Sequence, residues 1–115
     1  MDKISLGKSG EDRAADYFVS QGYSVLERNF RTRRGEIDLI VQRDGILAFV
    51  EVKTRAGRRF GAPMEAVTAK KRITIIKVAQ EYMQKNPDSS HQQMRFDVVE
   101  CMQHTLKHLP DAYRP

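Results

Sequence analysis

The stretch GEIDLIVQRDGILAFVEVK, residues 35–53, decides the fold. Its two apolar-rich halves meet at Arg43-Asp44-Gly45, where the Asp-Gly pair signals a tight hairpin turn. Glu36 to Gln42 reads as a strand, with Ile37, Leu39 and Val41 expected on one face and Glu36, Asp38 and Ile40 on the other. Ile46 to Lys53 reads as a second strand, nearly continuous in apolar residues, as a strand buried on both faces would be. The midpoint between Asp44 and Gly45 mirrors position 38 onto position 51, so a hairpin brings Asp38 opposite Glu51. Glu51 and Lys53 are two apart and therefore emerge on one face.

This juxtaposition points to chemistry. Two facing carboxylates repel, and one pKa rises unless a cation intervenes. Mg2+ or Mn2+ would satisfy both, since such ions take oxygen ligands and commonly use one or two carboxylates. The Val52 carbonyl is a further oxygen within the same triplet. Lys53 places an ammonium beside the acids, where it can activate an attacking water or neutralise charge on a phosphorane-like transition state. The plainer alternative is a solvated ion-pair cluster worth little energy. Against it, charges that close a strongly apolar strand need a reason.

Working outward, Ser9-Gly10-Glu11-Asp12 reads as a helix start with Ser9 as N-cap, and Gly22 as its stop. Ala14, Ala15, Phe18 and Val19 form its apolar stripe, and Glu11 heads that stripe as a third carboxylate facing the sheet. Tyr23 to Leu26 reads as a short strand, and Arg28 to Arg34 as a basic loop. Arg55 to Pro63 is a second basic loop. Ile75, Ile76, Ala79, Tyr82 and Met83 repeat at helical spacing, which predicts a helix from about Thr68 to Lys85. Arg95 to Cys101 is a further strand. The last dozen residues carry no clear signal. The order α-β-β-β-α-β implies one mixed sheet with helices packed on it.

The 115 residues fit a single domain, 1–115, with 40% hydrophobic and 30% charged residues. A net charge of +5 favours polyanionic partners. Arg28, Arg31, Arg33 and Arg34 precede the acidic strand, Arg55, Arg58 and Arg59 follow the lysine, and Lys70 opens the long helix. These are the expected phosphate contacts. Phe30 and Phe60 could stack on bases or pack in the core. No apolar run approaches the roughly 20 residues of a spanning helix, so no membrane association is expected. No secretory signal is visible, and a single cysteine, Cys101, suits a cytoplasmic setting. Cys101, His104 and His108 are too few for structural zinc.

Gly35-Glu36-Ile37-Asp38 with Glu51-Val52-Lys53 resembles the PD-(D/E)XK nuclease signature, with Ile37 where the signature's name has proline. Gly10-Glu11, Gly22-Tyr23, Arg28-Asn29, Gly61 with Pro63, Glu65-Ala66-Val67 and Arg95-Phe96-Asp97-Val98-Val99 extend the likeness over most of residues 7–100. As a whole the chain resembles the YraN-like family of small bacterial proteins. Within the nuclease superfamily it is similar to archaeal-type Holliday junction resolvases. The resemblance implies a restriction endonuclease-like αβββαβ core, with a central mixed β-sheet flanked by helices. It also implies Asp38 and Glu51 as metal ligands, Lys53 as the catalytic lysine and Glu11 as a helix-borne acid of the site that completes or orients the metal shell.

The expected function is Mg2+- or Mn2+-dependent hydrolysis of DNA phosphodiesters, with branched DNA as a candidate substrate. A nucleic-acid binding module without chemistry and a structural or protein-interaction domain are the alternatives. A two-fold symmetric substrate would favour a homodimer.

Overall fold

Ser9 caps the first helix: its hydroxyl accepts the Asp12 N–H at 3.0 Å. The computed structural model describes residues 9–55 and 67–115. Helix α1 spans Gly10–Ser20, followed by β1 (Ser24–Thr32), β2 (Gly35–Arg43) and β3 (Ile46–Thr54). Helix α2 (Ala69–Lys85) leads through a short 3-10 turn, Pro87–His91, into β4 (Gln93–Cys101) and β5 (Leu106–Tyr113). The five strands form one sheet in sequence order. All neighbours are antiparallel except β3 and β4, which run parallel. The chain crosses from β3 to β4 by way of α2, as a parallel pair demands. The αβββαβ core is therefore present, with β5 added along the β4 edge. Among the described residues, no helix is long and apolar enough to cross a membrane.

Each helix covers one face of the sheet. Ala14, Ala15 and Phe18 of α1 pack on Leu39, Val41, Ala48, Val50, Val99 and Cys101. Ile75, Val78, Ala79 and Tyr82 of α2 pack on Ile37, Ile40, Leu47, Phe49, Phe96 and Val98. Strand β3 thus supplies apolar side chains to both layers, which explains its continuous hydrophobicity.

Three readings are corrected by the structure, and one unassigned segment is filled in. Val19 is 60% exposed and does not join the apolar stripe. It follows Phe18 by about 100° around the helix, beyond the edge of the contact. Arg28 to Thr32 is strand rather than loop, because Phe30, Arg31 and Thr32 pair with Ile37, Glu36 and Gly35. An edge strand tolerates such charge since one side stays in water. Ile37 lies with Ile40 on the α2 side, apart from Leu39 and Val41. The β2–β3 ladder ends at Leu39, so strict alternation is not enforced beyond it. Finally, the last dozen residues contain an edge strand.

The turn joining β2 and β3 has positive φ at both central residues, Asp44 (50°) and Gly45 (78°). That is the backbone a tight hairpin with right-handed strand twist requires. Helix α2 lies close over the β1–β2 turn: a Cβ at Gly35 would sit 2.6 Å from Thr74 Cγ2. Gly35→Ala is accordingly expected to cost about 1–3 kcal/mol, measured by urea denaturation, by forcing the helix off the sheet.

Candidate active site

The β2–β3 ladder runs from Arg43 and Ile46 to Leu39 and Val50, then stops. The next rung would be Asp38 with Glu51, the register set by the turn. In place of that backbone rung, Asp38 Oδ2 accepts the Val52 N–H at 2.7 Å. Asp38 and Glu51 thus lie just past the last backbone rung of the hairpin.

Glu51 is buried, with 6% exposure. By alternation it continues the face of Leu47 and Phe49, toward α2. Lys71 on the first turn of α2 meets it, with Nζ 3.0 Å from Glu51 Oε2. Burial first, and then the charge of Glu51, push the Asp38 carboxyl up to about 6; Glu11 and Glu36 add to the rise, against the Val52 N–H. The hydrogen bond to Glu51 raises the Lys71 ammonium in turn. Tyr113 belongs to the same neighbourhood, its phenol pushed up by burial and then by Glu51. Among the described residues its hydroxyl finds no hydrogen-bond partner.

Glu11 is held differently. Its Oε1 accepts from Arg28 Nε and Nη2 at 3.2 and 3.1 Å and from Asn29 Nδ2 at 2.8 Å. Asn29 has a φ of 54°, a left-handed conformation that Asn tolerates better than most residues. Among the described residues, no three His, Cys, Asp or Glu side chains gather as a group that could hold a metal ion. The structure brings Asp38 and Glu51 into mutual electrostatic contact, while Glu11 is tied to Arg28 and Asn29.

Two carboxylates still make a fitting donor set for Mg2+, which commonly takes one or two and keeps waters for the rest. Burial, and then the charge of Glu51, raise Asp38, and Lys71 is the cation that meets Glu51. Lys53 follows Glu51 on the same face and sits beside Glu100 of β4 in the parallel register.

Several of the expected phosphate-binding arginines carry acidic partners. Arg28 bonds Glu11 and Asp12, and Arg31 bonds Glu36 at 3.1 Å. Arg34 reaches Glu81 of α2 at 2.9 Å, and Arg55 is paired with Glu100. Arg33 and Lys70 are exposed. Arg58, Arg59 and Phe60 lie outside the described residues. Phe30 packs edge-on against Tyr82, ring centres 5.3 Å apart, so it belongs to the core. Cys101 is a buried thiol, raised by burial, and His108 bonds Asp97 and Tyr17.

Sequence reasoning missed the pairing of Lys71 with Glu51. Its one visible signal was the cationic run Lys70-Lys71-Arg72 at a helix start, where positive charge opposes the dipole. Lys71→Ala is expected to tighten divalent-cation binding up to about fivefold, by removing a competitor for Glu51 that is half exposed and so worth at most about 1 kcal/mol. Isothermal calorimetry with Mn2+ measures this directly.

The model of the Uncharacterised protein family UPF0102 matches residues 10–101. A UPF0102 protein of Persephonella marina is 41% identical over 107 residues, covering 93% of this chain and 91% of the relative. One from Clostridium botulinum is 46% identical over 101 residues, covering 88% and 82%. One from Symbiobacterium thermophilum is 50% identical over 95 residues, covering 83% and 80%. The match takes in α1, the hairpin and β4, and with them Glu11, Asp38, Glu51 and Lys53: the chain belongs to the UPF0102 family.

Proposed function

We propose that this protein is a metal-dependent endonuclease of the cytoplasm that hydrolyses DNA phosphodiester bonds, with branched DNA as its preferred substrate. The observation that carries the reading is the Asp38–Glu51 pair: two carboxylates just past the end of the β2–β3 ladder, one raised to about 6 by burial and by the other. Lys71 offsets Glu51 alone, and a divalent ion between the two carboxylates would offset both. A divalent ion there would supply Lewis-acid charge to a phosphate oxygen and to an attacking water.

The chain's own groups do the rest. Asp38 and Glu51 would hold the ion, with the Val52 carbonyl as a further oxygen donor. The Val52 N–H fixes the rotamer of Asp38. Lys53 would bring its ammonium to the scissile phosphate and offset charge as it grows there. Glu11, steadied by Arg28 and Asn29, adds negative field behind Asp38. Lys70 and Arg33 would hold flanking phosphates.

The test is cleavage of a panel of four-way-junction, nicked and linear DNAs in Mg2+, Mn2+ or EDTA. The expected result is cleavage in either metal, none in EDTA, and the highest rate on the junction. Salt-sensitive binding with no metal-dependent product would instead mean a binding module. The acidic partners of Arg28, Arg31, Arg34 and Arg55 favour one further reading, a structural ion-pair surface, which predicts no DNA affinity at low salt.

A further inference from the structure

Glu100 is a carboxylate with no exposure at all, one residue before the end of the interior strand β4. It continues the face of Phe96 and Val98 on β4, the face covered by α2. Arg55 donates through Nε to its Oε2. Among the described residues, Glu100 Oε1 meets no donor. A buried, half-satisfied acid is costly, and such a group needs a reason beyond packing.

Arg55 supplies one. Its backbone N–H donates to the Cys101 carbonyl at 2.8 Å, which carries the β3–β4 ladder one step past Thr54. Backbone and side chain are thus both anchored. Alternation puts Glu51, Lys53 and Arg55 in one row on the α2 face: an acid, an amine and a guanidinium. Two residues of strand advance about 6.6 Å, comparable to the step between neighbouring phosphates of a polynucleotide. Among the described residues, the hydrogen bond from Arg55 to Glu100 runs through Nε, and the Arg55 side chain keeps 33% exposure. The two terminal nitrogens of a guanidinium form the fork that suits a phosphate.

We propose that Arg55, locked by Glu100, grips the phosphate next to the scissile one, and that Glu100 is the positioning residue for this clamp. The inference rests on the nuclease reading and deepens it. The enzyme would require a polynucleotide, because an isolated phosphodiester offers nothing for Arg55 to hold. The buried carboxylate fixes the direction of the fork and prevents the arginine from following the substrate's motion.

The experiment uses the full-length protein and a fluorescein-labelled DNA junction, with Ca2+ for binding and Mg2+ for cleavage. Wild type, Arg55→Ala, Arg55→Lys and Glu100→Gln are compared by fluorescence anisotropy across a salt series. Thermal melting is recorded for each variant. Arg55→Ala and Glu100→Gln are expected to bind about tenfold more weakly; the slope of log affinity against log salt falls by about 1 for Arg55→Ala, which loses the charge, and holds for Glu100→Gln, which keeps it. Arg55→Lys recovers the slope without the full affinity, since the ammonium keeps the charge and loses the fork.

A neutral methylphosphonate beside the cleaved bond then separates a clamp from a merely structural role. Wild type loses about tenfold on that DNA, whereas Arg55→Ala and Glu100→Gln lose nothing further. Variants that bind like wild type, or that remain as sensitive to the methylphosphonate, overturn the clamp while leaving cleavage by the wild type intact. Absence of DNA binding by the wild type at low salt overturns the clamp and the nuclease reading together.

Discussion

On the proposed nuclease reading, Asp38→Ala is expected to abolish metal-dependent cleavage, by a hundredfold or more on the scale of about 3 kcal/mol of lost charge stabilisation, and to leave DNA affinity equal or tighter. Binding is spared because the lost group is an anion facing a polyanion. The same residue carries a stability signature. Asp38 titrates near 6 in the fold against an ordinary 3.8, raised by burial and by Glu51. The native state therefore holds a proton that the unfolded chain has released, and stability falls as pH climbs through that window. The penalty is complete above about pH 6 and absent below about pH 4. Asp38→Asn keeps an oxygen for the Val52 N–H and removes the charge. It is expected to stabilise the protein on the order of 1–3 kcal/mol at pH 7, with the gain vanishing toward pH 4. Urea denaturation across that range reads the effect, and a variant less stable at pH 7 would contradict it.

Asp97→Ala carries the largest expected loss of stability, about 3–5 kcal/mol, the range for breaking a buried charge network by removing one partner. Asp97 is fully buried on β4. It accepts from Arg95 Nε and Nη2 at 2.8 Å each, from His108 Nε2 at 2.7 Å, and from the Asp111 N–H at 3.1 Å. Arg95 also reaches the Tyr23 hydroxyl at 2.7 Å, and His108 Nδ1 meets the Tyr17 hydroxyl at 2.8 Å. One carboxylate thus ties α1, the residue that precedes β1, β4 and β5 together. Burial alone would raise it, but the His108, Arg95 and Asp111 hydrogen bonds outweigh burial and hold it below 3.8. A lowered carboxyl stabilises the fold above its unfolded pKa and loses that contribution as pH falls through the folded value. Wild type should therefore lose stability steeply below about pH 4, whereas Asp97→Ala starts lower and shows a shallower acid slope. Chemical denaturation at pH 7 and between pH 2 and pH 5 measures both.

The hairpin was legible because turn chemistry and register are local. Asp44-Gly45 admits one tight turn, and that turn assigns Asp38 to Glu51 before any tertiary contact is considered. The helices were legible for a similar reason: Ser9 and Thr68 cap them, and their apolar spacing is regular. Edge strands were not. Arg28 to Thr32 is charged because one side of β1 faces water, and Leu106 to Tyr113 contains Pro110, which an edge strand tolerates. Neither looks like a buried strand in sequence. The site was readable where it follows from the hairpin, and unreadable where a distant element enters. Lys71 comes to Glu51 only because α2 crosses back over the sheet. Asp97 and Glu100 carried the signal that singled out Glu51, an acid inside an apolar strand run. Their roles depend on Arg95, His108 and Arg55, which only the fold brings near.

The most direct measurement of the central claim, that Asp38 and Glu51 share one divalent cation, is the titration of the Asp38 side-chain carboxyl by carbon-13 NMR, with and without Mg2+. The predicted midpoint lies near 6 in metal-free buffer and moves down when Mg2+ is added, with Glu51 resonances shifting in step. A midpoint near the ordinary 3.8 that ignores Mg2+, with Glu51 unmoved, would contradict the account.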